Sequence, residues 1–211
     1  MATEDDLEQA DAELLRVLDD SFDEVRRRAG AWLACGPGCS ECCIGPFPIT
    51  RLDVRRLRRG LSDLSHHDPE RAGRILDRSL RAVRTLADGY PGDRAGGRLS
   101  GDVDALDLFF ERHGSLPCPV LDPATGRCEL YAARPVSCRT YGPPLRFVGE
   151  DALPCPLCFK EAPAVIVERC RFEPDPRGLE DATLSKMGVS AGEDWETLIP
   201  FALLPDRDET A

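Results

Sequence analysis

Cys35-Gly36-Pro37-Gly38-Cys39-Ser40-Glu41-Cys42-Cys43 puts four thiols within nine residues, and six more cysteines follow as far as Cys170. What this stretch binds decides what holds the chain together. The adjacent Cys42 and Cys43 cannot bridge each other without strain, because a disulfide wants its Cα atoms about 5.5 Å apart and neighbouring Cα atoms are about 3.8 Å apart. Metal ligation carries no such constraint. Gly36, Pro37 and Gly38 supply the turns that let successive thiolates converge. The later thiols form two further groups: Cys118, Cys128 and Cys138 at equal spacings of ten, then Cys155, Cys158 and Cys170. Ten candidates exceed the four of one tetrahedral site, which predicts either two centres or one cluster with bystanders.

The chain has 211 residues, 42% of them hydrophobic, enough for one ordinary core and one domain. Its N-terminus is acidic and lacks a basic segment followed by an apolar one, and no apolar run approaches the length of a membrane span. The expectation is a soluble cytoplasmic protein without a membrane partner. In a reducing compartment ten cysteines read as metal ligands rather than as a disulfide framework. The net charge of −11 argues against nucleic acid as a partner. Arg51, Arg55, Arg56, Arg58 and Arg59 crowd one short helix, read as a solvated face balanced by the acidic N-terminal helix. Of the 27 basic residues 25 are Arg, which compositional bias explains as well as anion recognition does.

Leu7, Leu14, Leu18, Phe22, Val25 and Ala29 recur at helical spacing and predict an amphipathic helix closed by Gly30. Thr50 with Asp53 three residues on predicts an N-cap, and Leu52, Leu57 and Leu61 give the next helix its buried side. Asp68-Pro69-Glu70 opens a helix running through Ile75, Leu80 and Leu86 towards Gly89. Residues 89–101 carry five glycines and a proline and read as a flexible loop. A short helix from Asp102 to Arg112 follows. Strand-like pieces are expected at Val120-Leu121 and Glu129 to Tyr131 around an Asp122 to Gly126 turn, with a longer strand at Ala164 to Val167. A helix near Leu179 to Met187 and an extended tail with Trp195 and Phe201 complete the chain.

Cys35-x3-Cys39-x2-Cys42 is similar in spacing to the radical S-adenosylmethionine enzymes, but Glu41 stands where those place an aromatic residue, and helices flank the motif instead of a strand–helix barrel. A more extensive resemblance lies in Pro117-Cys118-Pro119-Val120-Leu121-Asp122, Gly126-Arg127-Cys128-Glu129-Leu130-Tyr131 and Arg134-Pro135-Val136-Ser137-Cys138-Arg139-Thr140-Tyr141, read together with the first motif. The chain resembles the YkgJ-type CxxxCxxCC family, described as zinc- or iron-chelating proteins, from about Cys35 to Cys158. The resemblance implies that Cys35, Cys39, Cys42, Cys43, Cys118, Cys128, Cys138 and Cys155 are the family's metal thiols. Cys158 and Cys170 lie outside the recognised part. A family relative by this domain, the flagellin lysine methylase, resembles an iron–sulfur protein, which points to the same cofactor and to a protein-modifying enzyme as an alternative function.

Arg134 and Arg139 flank Cys138, where a cation lowers thiol pKa and offsets the charge of a multi-thiolate centre; the competing reading is an ion pair with nearby acids. Tyr131 and Tyr141 could donate hydrogen bonds to the same thiols. His66 and His67 read as exposed residues before a helix cap, and Asp53 and Asp122 as cap and turn residues. No phosphate loop, nucleophile elbow or His-Glu-x-x-His is present. Cys155-x2-Cys158 could serve a thiol–disulfide oxidoreductase, but no βαβ pattern surrounds it. Soft thiolates suit zinc and iron alike, and the tight group of four favours an iron–sulfur cluster of the 4Fe-4S type, with zinc as the alternative.

The sequence therefore predicts an α+β, mostly helical small domain organised around a cysteine-ligated metal centre. Residues 1–30 form its N-terminal helix, 31–172 its chelating domain and 173–211 a C-terminal helix and tail. The expected function is metal binding with a structural, metal-handling or redox role. Its expected partner is the metal or cluster itself, with a protein substrate if the enzymatic alternative holds.

Overall fold

The structure is a computed structural model that describes residues 2–36, 38–147, 150–189 and 195–205. Its elements in chain order are α1 (Glu4–Ala29), α2 (Arg51–His67), α3 (Pro69–Leu86), β1 (Gly92–Asp93), β2 (Arg98–Leu99), α4 (Val103–Arg112), α5 (Val136–Thr140), β3 (Leu145–Phe147), β4 (Glu150–Ala152), α6 (Ala164–Arg169), α7 (Leu179–Lys186) and α8 (Ile199–Ala202). The fold is thus α+β and mostly helical, with two small antiparallel hairpins. None of the described helices is long and apolar enough to cross a membrane. The chain divides into two compact units: Met1–Glu41 with Val136–Glu193, and Cys42–Pro135 with Asp194–Ala211.

In the first unit α1 begins at a capping box, where Thr3 and Asp6 exchange side-chain and backbone hydrogen bonds. Glu4, Asp5 and Asp6 in its first turn and Arg26, Arg27 and Arg28 in its last complement the helix dipole, and Gly30 ends it at φ +53°. Its buried stripe is Leu14, Leu18, Val25 and Ala29. Helices α5 and α7 pack on α1. Arg139 on α5, almost buried, donates to the Asp19 carboxylate at 2.9 Å, and Arg177 pairs with Glu13 at the same distance. Val25, Ala29 and Leu33 then join Cys155, Cys158, Phe159 and Cys170 in one buried cluster.

The expected strand at Ala164 to Val167 is instead helix α6. Pro163 starts it, its carbonyl accepting the N–H groups of Ile166 at 2.8 Å and Val167 at 3.2 Å. In a strand Ile166 and Val167 would point to opposite faces. The helical turn lets both pack against the same cluster as Cys170, while Val165 faces solvent.

The second unit is built on the α2–α3 hairpin. Thr50 and Asp53 form the predicted capping box, and Asp68 caps α3 with Pro69 at its first turn. Thr50→Ala should cost about 1 kcal/mol, the usual value of such a cap; thermal denaturation measures it, and an unchanged midpoint would show that the cap contributes nothing. Of the crowded arginines Arg59 is exposed, but Arg56 is buried and Arg51, Arg55 and Arg58 are half-buried, and α2 is a 17-residue helix rather than a short one. Arg56 is buried against Asp53 at 2.5 Å, Arg58 donates to the Ala202 carbonyl at 2.9 Å, and Arg51 lies 5.6 Å from the Trp195 ring centre. The buried Asp53 carboxylate and the C-terminal carbonyls draw these cations inward.

The expected loop at 89–101 contains the β1–β2 hairpin. It is tied to its own unit by Tyr90 and Thr197, whose hydroxyls both donate to the Gly97 carbonyl, at 2.5 and 2.6 Å. The tail is extended at Thr197 and Leu198 and helical at Phe201. Thr197 pairs with Ile49 through two backbone hydrogen bonds of 2.8 and 3.0 Å, Leu198 is fully buried, and α8 follows. The parts of that tail at 190–194 and 206–211 lie outside the described residues. Around Asp122 to Gly126 the expected turn forms, with Gly126 at φ +67°. Its flanks make a single bridge, Leu121 to Cys128, and Tyr131 enters a 3-10 turn, Tyr131–Ala133, rather than a strand.

Candidate metal centre

None of the ten cysteines forms a disulfide, and each unit holds its own set. In the first unit the 3-10 turn Gly30–Trp32 delivers Leu33 to the core and leaves Cys35 half-buried beside it. The Cys39 N–H then turns back to the Gly36 carbonyl at 3.0 Å, with Gly38 at φ +89°. Pro37 lies outside the described residues.

Cys155 and Cys158 stand at the two ends of a tight loop. The Cys158 N–H donates to the Cys155 carbonyl at 2.8 Å and the Leu157 N–H to the Cys155 Sγ at 3.5 Å. Phe159 takes the left-handed conformation at φ +54°, and its N–H reaches the Trp32 carbonyl at 2.7 Å. The loop is thereby fastened to the segment that carries Cys35. Cys35 Sγ lies 3.6 Å from Cys158 Sγ and 3.8 Å from the Tyr141 carbonyl oxygen. Gly142 completes the cradle. Its carbonyl accepts the Cys155 N–H at 2.9 Å, and a Cβ at this position would stand 2.5 Å from Cys35 Sγ. Burial, reinforced by Cys158, Cys39 and Cys155, pushes the Cys35 thiol well above its ordinary pKa.

In the second unit the backbone of Cys43–Gly45 pairs with that of Leu116–Cys118. The Cys118 N–H donates to the Cys43 carbonyl at 2.7 Å and the Gly45 N–H to the Leu116 carbonyl at 2.8 Å. The turn that follows returns the chain through Cys128. Glu129, 4% exposed at its side chain, accepts from Arg71 at 2.7 Å and from Arg78, which also donates to the Pro119 carbonyl. Helix α3 therefore holds the segment bearing Cys118 and Cys128.

Burial, with Cys128 and Cys42 adding to it, pushes the Cys118 thiol up to about 12. Burial raises Cys128 as well, while a hydrogen bond with Cys43 followed by burial raises Cys42. Arg134 opposes both shifts, so its charge acts on this thiol set. Its guanidinium carbon sits 3.8 Å from the Tyr131 ring centre. The preceding 3-10 turn can come close to α2 because Gly60 has no side chain: a Cβ there would be 2.5 Å from that of Ala133.

Cys138 is half-buried on α5, and its neighbour Arg139 turns to Asp19. Cys170, 1% exposed, is a packed member of the first unit's core. His66 and His67 are exposed, each ring Nδ1 2.7 Å from a carbonyl of its own helix.

Among the described residues no three Cys, His, Asp or Glu side chains are placed so that they could hold a metal ion. The donor chemistry and the cradle nevertheless fit a thiophilic metal: soft sulfurs, an N–H aimed at one of them, and a glycine that leaves room for another. The signal that sequence reasoning passed over is Gly142; Cys158 reads in the sequence as half of a Cys-x2-Cys pair lying outside the recognised motifs.

A family model described as "Putative zinc- or iron-chelating domain", CxxCxxCC, matches residues 34–156. No curated protein and no solved structure matches the chain.

Proposed function

Because the chain belongs to the CxxCxxCC family of zinc- or iron-chelating domains, we propose that it is a metal-binding protein whose cysteine thiolates hold zinc or an iron–sulfur cluster and that the metal stabilises the fold. The observation that carries this reading is the set Cys42, Cys43, Cys118 and Cys128. The four come from two separate stretches that the Cys43–Cys118 backbone pairing brings together, with the Arg134 cation acting on them. Four soft donors suit a thiophilic metal, and the neighbouring cation offsets part of the net negative charge of a tetrathiolate centre. When bound, the metal would supply a cross-link that no disulfide in this chain provides.

The role of Arg134 in this reading is to stabilise the thiolate form of Cys42 and Cys128. The Tyr131 ring stacks on the same guanidinium and helps to hold it in place. Arg139 acts differently, fixing α5 to α1 through Asp19. Ligation displaces one proton from each thiol, so metal affinity falls as pH falls.

Elemental analysis and an absorption spectrum of the anaerobically purified chain test the proposal. Stoichiometric zinc in a colourless protein, or iron with sulfide in a coloured one, supports it and selects the metal. A purified chain that holds neither, and takes up neither when reduced and reconstituted, refutes it. Arg134→Ala should lower metal retention under a competing chelator roughly 10- to 100-fold, the range seen when outer-shell partners are lost. Unchanged retention would remove Arg134 from the account.

A further inference from the structure

Cys35 Sγ lies 3.6 Å from Cys158 Sγ although 123 residues separate the two in the chain. Disulfide sulfurs stand about 2.05 Å apart, so closing this pair asks each sulfur to move by under about 1 Å. The backbone on both sides is already fastened. The Phe159 N–H, next to Cys158, donates to the Trp32 carbonyl at 2.7 Å, and the Cys155 N–H donates to the Gly142 carbonyl at 2.9 Å. Gly142 in turn leaves the space the Cys35 sulfur occupies, since a Cβ there would stand 2.5 Å from it. Both cysteines belong to the first unit. Two other thiol contacts compete for an oxidant. Cys42 and Cys43 share a hydrogen bond but are chain neighbours, which a disulfide joins only with strain. Cys158 also has a hydrogen bond with Cys155, yet these two are 4% and 3% exposed, whereas Cys35 is half-buried. Of these three thiols of the first unit, an oxidant meets Cys35 first, with Cys158 behind it.

We propose that Cys35 and Cys158 are a redox pair: a peroxide oxidises Cys35, Cys158 resolves it, and the resulting disulfide withdraws Cys35 from metal binding. The withdrawal rests on the proposed metal-binding function; the cross-link itself does not. The Cys35 sulfur attacks one peroxide oxygen, the O–O bond breaks, and Cys35 becomes a sulfenic acid as water leaves. The Cys158 sulfur then attacks the Cys35 sulfur, and the hydroxyl departs with the Cys158 thiol proton as a second water. The two thiols lose two electrons in all and one peroxide gains them; a dithiol reductant reverses the step by exchange. Burial, which pushes the Cys35 thiol up, slows the first attack, so the pair answers sustained oxidant rather than a brief pulse.

The test exposes the full chain, as purified anaerobically and after metal removal by a chelator, to graded hydrogen peroxide over hours. Remaining thiols are then alkylated and the peptides mapped by mass spectrometry, with circular dichroism of each reduced variant as the check on folding. The metal-free chain should lose two alkylatable thiols and yield a linked Cys35–Cys158 peptide that dithiothreitol abolishes. Cys158→Ser should yield no linked peptide containing Cys35, while Cys170→Ser, a change at an equally buried thiol of the same core, should keep the Cys35–Cys158 link. The metal-bearing chain should form that link more slowly and release metal in step with it. A first cross-link at Cys155–Cys158 or any other pair, or no cross-link in either form of the chain, overturns the redox pair. A Cys35–Cys158 link that forms equally fast with metal bound and releases none supports the pair and overturns the withdrawal of Cys35 from the metal.

Discussion

Stripping the metal with a strong chelator is expected to abolish the cooperative thermal transition of the second unit, not merely to lower its midpoint. The segment from Leu116 to Pro135 has no sheet of its own. It is held by the Cys43–Cys118 pairing, the single Leu121–Cys128 bridge and the Glu129 ion pairs. Structural zinc contributes about 10–16 kcal/mol in small zinc-binding peptides, as large as the whole net stability of an ordinary domain, about 5–15 kcal/mol. Cys118→Ser should reproduce much of the loss without a chelator. Circular dichroism with limited proteolysis gives the readout, and a metal-free protein that melts cooperatively at an unchanged temperature would show that the metal is not a structural cross-link.

Replacing Glu129 by Ala should destabilise the protein by about 3–5 kcal/mol, the cost of leaving a buried charge partner unmatched. Glu129 forms an ion pair with both Arg71 and Arg78, and Arg78 is itself mostly buried. Without the carboxylate two guanidinium groups of α3 face each other, and the turn carrying Cys118 and Cys128 loses its anchor. Urea denaturation of the metal-loaded protein measures the change. A loss below about 1 kcal/mol, the range of an exposed ion pair, would mean that α3 does not hold this segment.

The helices were legible because their ends carry chemistry that acts locally. Thr3 with Asp6, Thr50 with Asp53, and Asp68 before Pro69 each satisfy orphan backbone N–H groups without help from distant residues. Ala164 to Val167 was not legible, because a short β-branched run reads as strand until the facing cluster is known, and that cluster decides in favour of a helix. The hairpin at 89–101 was hidden for the same reason: the partners that order it, Tyr90 apart, arrive a hundred residues later at Glu196 and Thr197.

The candidate site was readable as a set of residue types and not as a partition. Cys35 to Cys43 look like one knuckle in sequence, yet Cys35 and Cys39 lie in the first unit and Cys42 and Cys43 in the second. The change falls between Glu41 and Cys42, inside a 3-10 turn, where no glycine or proline announces it. Likewise Arg134 and Arg139 both flank Cys138 in the chain, but only the fold shows that one acts on Cys42 and Cys128 and the other on Asp19.

The most direct test of the account is the ligand shell of the native metal, read by X-ray absorption at the metal edge of the anaerobically purified full chain. The prediction is a first shell of sulfur alone at about 2.3 Å, four atoms per metal, with no nitrogen from any of the chain's three histidines. A shell dominated by nitrogen or oxygen would contradict the claim that this protein holds its metal through cysteine thiolates.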